Sequence, residues 1–147
     1  MADLPRSVLF VCTRNAVRSP MAAYLADRHC RRRVFVASAG LDPGPADGFA
    51  LAALEEVGID ATRHEPRALA DVDADQFDLI VTLSPEAQHH AAKLPLKPGA
   101  AFEYWPTMDP TIFEGSRDQR LTAYRDLRDG LEQRIRERFR FTGPGHL

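Results

Sequence analysis

The chain has 147 residues, 44% of them apolar and 27% charged, with 19 basic against 21 acidic side chains and a formal net charge of −2. That is the size and balance of one domain with a full hydrophobic core, and it argues against a second domain or a general polyanion binder. The charge is unevenly spread: residues 1–40 carry seven Arg against two Asp, residues 41–114 four basic against fourteen acidic, and residues 115–147 eight Arg against five acidic.

Residues 7–12, apolar and β-branched without alternation, read as a buried strand. Residues 19–29 hold Met21, Ala22, Leu25 and Ala26 and no Gly, and read as a helix with Ser19 at the N-cap and Pro20 at N1. A second strand over residues 34–38 ends at Gly40 and the turn-forming Asp42-Pro43-Gly44-Pro45. The second helix spans residues 47–57, capped by Asp47 and closed by Gly58. Residues 77–83 form the third strand, Ser84-Pro85-Glu86 opens a third helix with the same Ser-Pro signal, and residues 101–105 form the fourth strand. Leu121, Tyr124, Leu127, Leu131, Ile135 and Phe139 fall at spacings of three and four, the apolar stripe of a last helix. Residues 142–147 read as a frayed tail. This alternation implies an α/β fold, a single domain over residues 1–147 in which a parallel sheet carries helices on both faces. Ligands of such folds bind beyond the carboxyl ends of the strands.

The segment Cys12-Thr13-Arg14-Asn15-Ala16-Val17-Arg18-Ser19 joins the first strand to the first helix, where backbone N–H groups and the helix dipole converge on an anion. A phosphate-binding loop is expected there. Positive potential from the helix N-terminus and from Arg18 favours a nucleophilic thiolate at Cys12. Arg18 offers a planar fork of donors that fits two oxygens of a phosphoryl group as charge spreads onto them in the transition state. Ser19 can donate its hydroxyl to the sulfur when the sulfur leaves, and Asn15 tolerates the positive φ that a tight anion cradle demands. A merely buried strand-end thiol is the plainer reading of Cys12, and it leaves Arg18 and Ser19 unaccounted for. The nucleotide-binding pattern G-x-x-x-x-G-K-[ST] does not occur. Two Asp-Pro pairs, Asp42-Pro43 and Asp109-Pro110, each follow a strand, so both carboxylates are candidates for a general acid.

Val11-Cys12-x5-Arg18-Ser19-Pro20-Met21-Ala22, Ser38-Ala39-Gly40, Gly58-Ile59-Asp60 with His64 and Arg67, Phe77-Asp78-x-Ile80 and Asp109-Pro110 carry a resemblance over nearly the whole chain. It is to the low-molecular-weight protein tyrosine phosphatases and the arsenate reductases built on the same fold. The resemblance implies a four-stranded parallel sheet and a two-step reaction that needs no metal and no cofactor. Cys12 attacks phosphorus, Arg18 and the loop from Thr13 to Ser19 hold the oxygens, and Asp109 protonates the leaving oxygen and then deprotonates water. It also implies that Asn15, Ser19, Ser38 and His64 form a hydrogen-bonded layer behind the loop, although His64 alone reads equally as a surface histidine. The expected substrate is a phosphorylated protein or a small aryl phosphate.

Three departures from the family pattern bear on function. Arg14 stands where many members have Gly, which makes the loop mouth bulkier and more cationic. Val17 stands where many have a second Cys, so protection of Cys12 by a neighbouring disulfide is not available. Thr111, Ile112 and Phe113 stand where phosphotyrosine-directed members often place tyrosines, which leaves Phe113, Trp105 and Phe49 as candidates for an aromatic wall.

Rival readings follow from the same residues. An arsenate reductase passes its oxidised nucleophile to a further thiol. Cys30, the second of the two cysteines, lies a helix away at roughly 15 Å or more, whereas a disulfide needs Cα atoms within about 7 Å. A reductase would therefore use glutathione or another external thiol. A non-catalytic phosphate-binding module is the third reading.

Other partners find little support. Arg31-Arg32-Arg33 reads as solvated charge at a helix C-terminus rather than a nucleic-acid patch. His29, His64, His89, His90 and His146 lack metal-ligand spacing. No early apolar run approaches the roughly 20 residues of a membrane helix, and the first residues do not read as a secretory leader. A cytoplasmic address is the expectation.

Overall fold

In the computed structural model, which describes residues 4–140, strands β1 (Ser7–Cys12), β2 (Phe35–Gly40), β3 (Leu79–Thr82) and β4 (Ala101–Tyr104) form one parallel sheet in the order β2-β1-β3-β4. β1 is central and buried from Val8 to Cys12, which explains its apolar sequence. Its alternate side chains feed two cores. Val8, Phe10 and Cys12 face α1 (Arg18–Cys30), α2 (Gly48–Glu55) and α4 (Arg117–Arg138). Leu9 and Val11 face Leu69, Phe77, Ile80 and Ala87, on the side of α3 (Pro85–Ala91). Helices thus cover both faces, three on one and one short helix with two 3₁₀ turns on the other. The chain leaves β1 toward β2 and then crosses back to β3, so strand order reverses beside β1 and the loop after Cys12 opens at the switch point.

α4 buries Leu121, Tyr124, Leu131, Ile135 and the following Phe139, as its spacing predicts. A capping box of Ser116 and Gln119 starts it. Arg128 on this helix is also buried, because its Nη1 donates to the Ala53 carbonyl (2.8 Å) and to Glu56 (2.8 Å) and so ties α4 to α2.

Several boundaries differ from the sequence reading. β2 runs on to Gly40 because its register with β1 continues to the pair Cys12 and Gly40. β3 starts two residues later than expected: Phe77 closes a 3₁₀ turn, and the Asp78 carboxylate is held by the Arg6 N–H and Lys97. Ser19 is not the N-cap of α1. The helix begins at Arg18 with Val17 at the cap position and no side-chain cap, whereas the same Ser-Pro signal at Ser84 does cap α3 by accepting from the Ala87 N–H. The tail expected at residues 142–147 lies outside the described residues. Among the described residues no helix is long and apolar enough to cross a membrane.

Candidate active site

β1 delivers Cys12 to the carboxyl edge of the sheet, and the chain then turns sharply to enter α1. Asn15 makes the turn at φ 52°, a left-handed conformation that a short polar side chain tolerates. Its fully buried side chain is fixed on both ends. Nδ2 donates to Ser19 Oγ (2.8 Å) and Ser38 Oγ (2.9 Å), and Oδ1 accepts from the Arg67 N–H (2.9 Å). His64 Nε2 donates to the Asn15 carbonyl at 2.9 Å; a carbonyl only accepts, so the imidazole proton sits on Nε2. Asn15, Ser19, Ser38 and His64 are therefore brought together behind the loop. Gly40 completes this backing, since a Cβ there would lie 2.6 Å from the Asn15 nitrogen and 2.8 Å from the Arg14 carbonyl carbon, both backbone atoms.

Cys12 is 2% exposed, and its sulfur lies 2.9 Å from Ser19 Oγ, 3.3 Å from the Asn15 nitrogen and 3.4 Å from the Ser19 nitrogen. Donors converging in this way suit an anionic sulfur. Ser19 already receives the Asn15 amide, which leaves its own proton for Cys12 or for the Ala39 carbonyl at 3.3 Å. The hydroxyl read from sequence as a helix cap is thus spent on the thiol, and no side chain caps α1. The N–H groups of Thr13, Arg14, Ala16 and Val17 have no hydrogen-bond partner among the described residues. An anion satisfies such a set.

Arg18 Nη1 donates to the Thr107 carbonyl at 2.9 Å, which ties the loop to the segment leading to Asp109. Thr13 Oγ1 donates to Ser84 Oγ at 3.0 Å. Asp109, half-buried, caps a 3₁₀ turn (Pro110–Ile112); its Oδ1 accepts from the Thr111 N–H (2.9 Å) and hydroxyl (2.7 Å), and Oδ2 takes no partner among the described residues. The other Asp-Pro carboxylate is engaged differently. Asp42 pairs with Arg14 at 3.7 Å on the surface, and its N–H donates to the Thr13 carbonyl.

The aromatic candidates divide. Trp105 is buried, with Nε1 donating to Glu103 Oε1, so it forms no wall at the mouth. Phe113 lines a cavity of about 550 Å³ between the segment after β4 and α4, and none of residues 12–19 lines that cavity. Phe49 packs on Tyr124 with ring centroids 5.3 Å apart. The Tyr124 hydroxyl donates to Asp47 Oδ2 (2.8 Å), while Asp47 Oδ1 caps α2. Burial first, then this hydrogen bond and the nearby Asp47 and Asp109 carboxylates, push the Tyr124 phenol well above its ordinary range.

Cys30, the last residue of α1, is fully buried, and burial followed by the Asp27 carboxylate pushes its thiol up to about 11. The 13-residue helix puts it about 18 Å from the loop. Among the described residues no three His, Cys, Asp or Glu side chains gather as a metal centre. The contributions of the Arg67 N–H, the Thr107 carbonyl, Ser84 and the Asp47–Tyr124 pair were not foreseen from sequence. Two of these are main-chain groups that any residue supplies, and the others are joined only by the fold.

The sequence profile of the low molecular weight phosphotyrosine protein phosphatases matches residues 7–140. An arsenate reductase of Bacillus licheniformis is 31% identical over 139 residues, covering 94% of this chain and 97% of that protein. A tyrosine phosphatase of Erwinia amylovora shares the fold with a TM-score of 0.75 at 24% identity, covering 93% of each chain. A structure of the YwlE arginine phosphatase with a phosphorylated active-site serine matches with a TM-score of 0.73 at 27% identity, covering 89% of this chain and 91% of that one. The chain belongs to the low molecular weight phosphotyrosine protein phosphatase family.

Proposed function

We propose that the protein hydrolyses phosphomonoesters, with phosphotyrosine in proteins as its substrate class, through a cysteinyl-phosphate. The Cys12 sulfur attacks phosphorus, an S–P bond forms, and the P–O bond to the leaving group breaks as Asp109 gives that oxygen its proton. The Asp109 carboxylate next takes a proton from water, the oxygen attacks phosphorus, and the S–P bond breaks with its electrons returning to sulfur. Ser19 supports that departure from 2.9 Å. The free loop amides and the remaining Arg18 donors hold the phosphoryl oxygens, and Asn15, Ser38 and His64 hold the loop. No cofactor enters this chemistry, and a cytoplasmic setting suits a reduced Cys12.

The observation that carries hydrolysis over reduction by an internal thiol relay is the distribution of thiols. Cys30 is buried at the far end of α1 and held protonated, so it is badly placed to resolve an oxidised Cys12. The likeness to a named arsenate reductase supports a second reading, arsenate reduction with an external thiol such as glutathione. Single-turnover assays separate the two. Burst release of the aryl alcohol from an aryl phosphate and a bell-shaped pH–rate profile are expected, with little arsenate turnover in glutathione. Robust turnover of arsenate alone overturns the phosphatase reading. Unchanged function in Cys12→Ser makes the protein a phosphate-binding module.

A further inference from the structure

An aryl phosphate is best held by an open aromatic face at the mouth of its site. Phe49 is the aromatic that follows the segment bonded to the loop. The segment before it hydrogen-bonds to the loop through the Leu41, Asp42 and Gly44 N–H groups, on the Cys12, Thr13 and Arg14 carbonyls. Its neighbour Tyr124 lies on α4, against which the 3₁₀ turn capped by Asp109 packs. Yet the Phe49 ring is already engaged by three side chains of α4. Tyr124 packs against it from within, and from α4 the Arg120 guanidinium lies 4.6 Å and the Arg117 guanidinium 5.9 Å from its ring centroid.

Both arginines are exposed, and among the described residues neither pairs with a carboxylate. Stacking on a ring fixes a guanidinium while leaving its edge donors open to a bidentate carboxylate. Arg14 adds a third exposed guanidinium on the loop itself, lying across Gly44, where a Cβ would meet its Nε and Nη2 at 2.9 Å. The acidic groups nearby do not cancel this set. Asp47 is used by Tyr124 and the α2 cap, Asp109 is the proposed acid, Asp118 is a solvated neighbour of Arg117, and Asp42 makes a 3.7 Å surface pair with Arg14.

Resting on the phosphatase reading above, we propose that the site selects phosphorylated segments with Asp or Glu within a few residues of the phosphoresidue. Arg117 and Arg120, stacked on Phe49, are the principal specificity residues, and Arg14 is auxiliary. The departure of this chain from a tyrosine-lined mouth then has a positive meaning: guanidinium edges recognising carboxylates replace a ring recognising a ring.

The test uses one phosphotyrosine peptide series with acidic, neutral and basic flanks, read as the ratio of kcat/KM between acidic and neutral members. The full-length protein is expected to prefer acidic flanks by about fivefold or more, with the preference shrinking as salt rises from about 0.05 to 0.3 M. In the double variant Arg117→Gln, Arg120→Gln the ratio falls toward one. A ratio near one in the parent protein, or an unchanged ratio in the double variant, overturns the assignment. Peptide binding to Cys12→Ser, followed by fluorescence anisotropy, separates this from failure of the phosphatase reading. Acidic-flank preference in binding with no hydrolysis by the parent protein removes the phosphatase and keeps the rim, whereas hydrolysis without flank preference removes the rim and keeps the phosphatase. Neither binding nor hydrolysis removes both.

Discussion

Two cysteines stand at opposite ends of one helix and meet opposite surroundings. Cys12 precedes α1, and two backbone nitrogens and a hydroxyl lie 2.9–3.4 Å from its sulfur. Cys30 closes α1 among apolar side chains beside Asp27, which hold its thiol neutral up to about 11. Both are almost inaccessible to solvent, so burial does not separate them. What separates them is whether the buried sulfur is met by donors at a positive helix end or by hydrocarbon and a carboxylate at the negative one.

That contrast can be broken experimentally, and the largest effect is expected at Cys12. Cys12→Ser should lower aryl phosphate turnover by about 10⁴-fold or more while phosphate still binds, measured by single-turnover kinetics and calorimetry. Asp109→Ala should slow hydrolysis by about 10²- to 10⁴-fold for poor leaving groups and least for good ones, and a flat leaving-group series would move the acid role elsewhere. Gly40→Ala pushes a methyl group into the loop backbone, and a loss of about 10²-fold in kcat/KM is expected with the circular dichroism spectrum kept.

At the other end of the helix, Cys30→Ala should keep turnover and cost about 1 kcal/mol in urea denaturation; a large loss of activity would end the distinction between the two thiols. The smallest effect belongs to the ion pairs near that end. Hydrogen bonds from Arg125 and then Arg128 hold the Glu56 carboxyl down at about 2, against an ordinary 4.5. A depressed carboxyl contributes stability above its unfolded value and loses it as pH falls toward 2. Glu56→Gln should therefore flatten that part of the stability profile between about pH 4.5 and 2, followed by denaturation at stepped pH.

Sequence reading went furthest where the signal was contiguous. The bounds of β1 are legible to the residue because a central strand buried on both faces has no polar alternation, and the buried face of α4, though not its ends, is legible because its stripe repeats over many turns. The segment Cys12 to Ser19 carried its chemistry in residue types at fixed spacing. Ser19 shows where local rules lose: the Ser-Pro signal that caps α3 was overruled in α1 because Cys12 and Asn15 claim the hydroxyl. Gly40 reads as a strand end, and only the β1–β2 register shows that its missing Cβ makes room for the loop. Phe49 was visible as an aromatic, but its cover by arginines about 70 positions later was not.

The hydrogen bonds of the loop reach along the chain in order. Asn15 waits for Ser38, His64 and Arg67, Thr13 for Ser84, and Arg18 for Thr107. A segment of eight residues, local by count, therefore has a high effective contact order, and its shape is set only when the far strands have docked. During synthesis the ribosome releases Cys12 long before the residues that shape its surroundings. The nascent chain thus carries an ordinary cysteine, and the capacity for chemistry arrives together with the completed sheet.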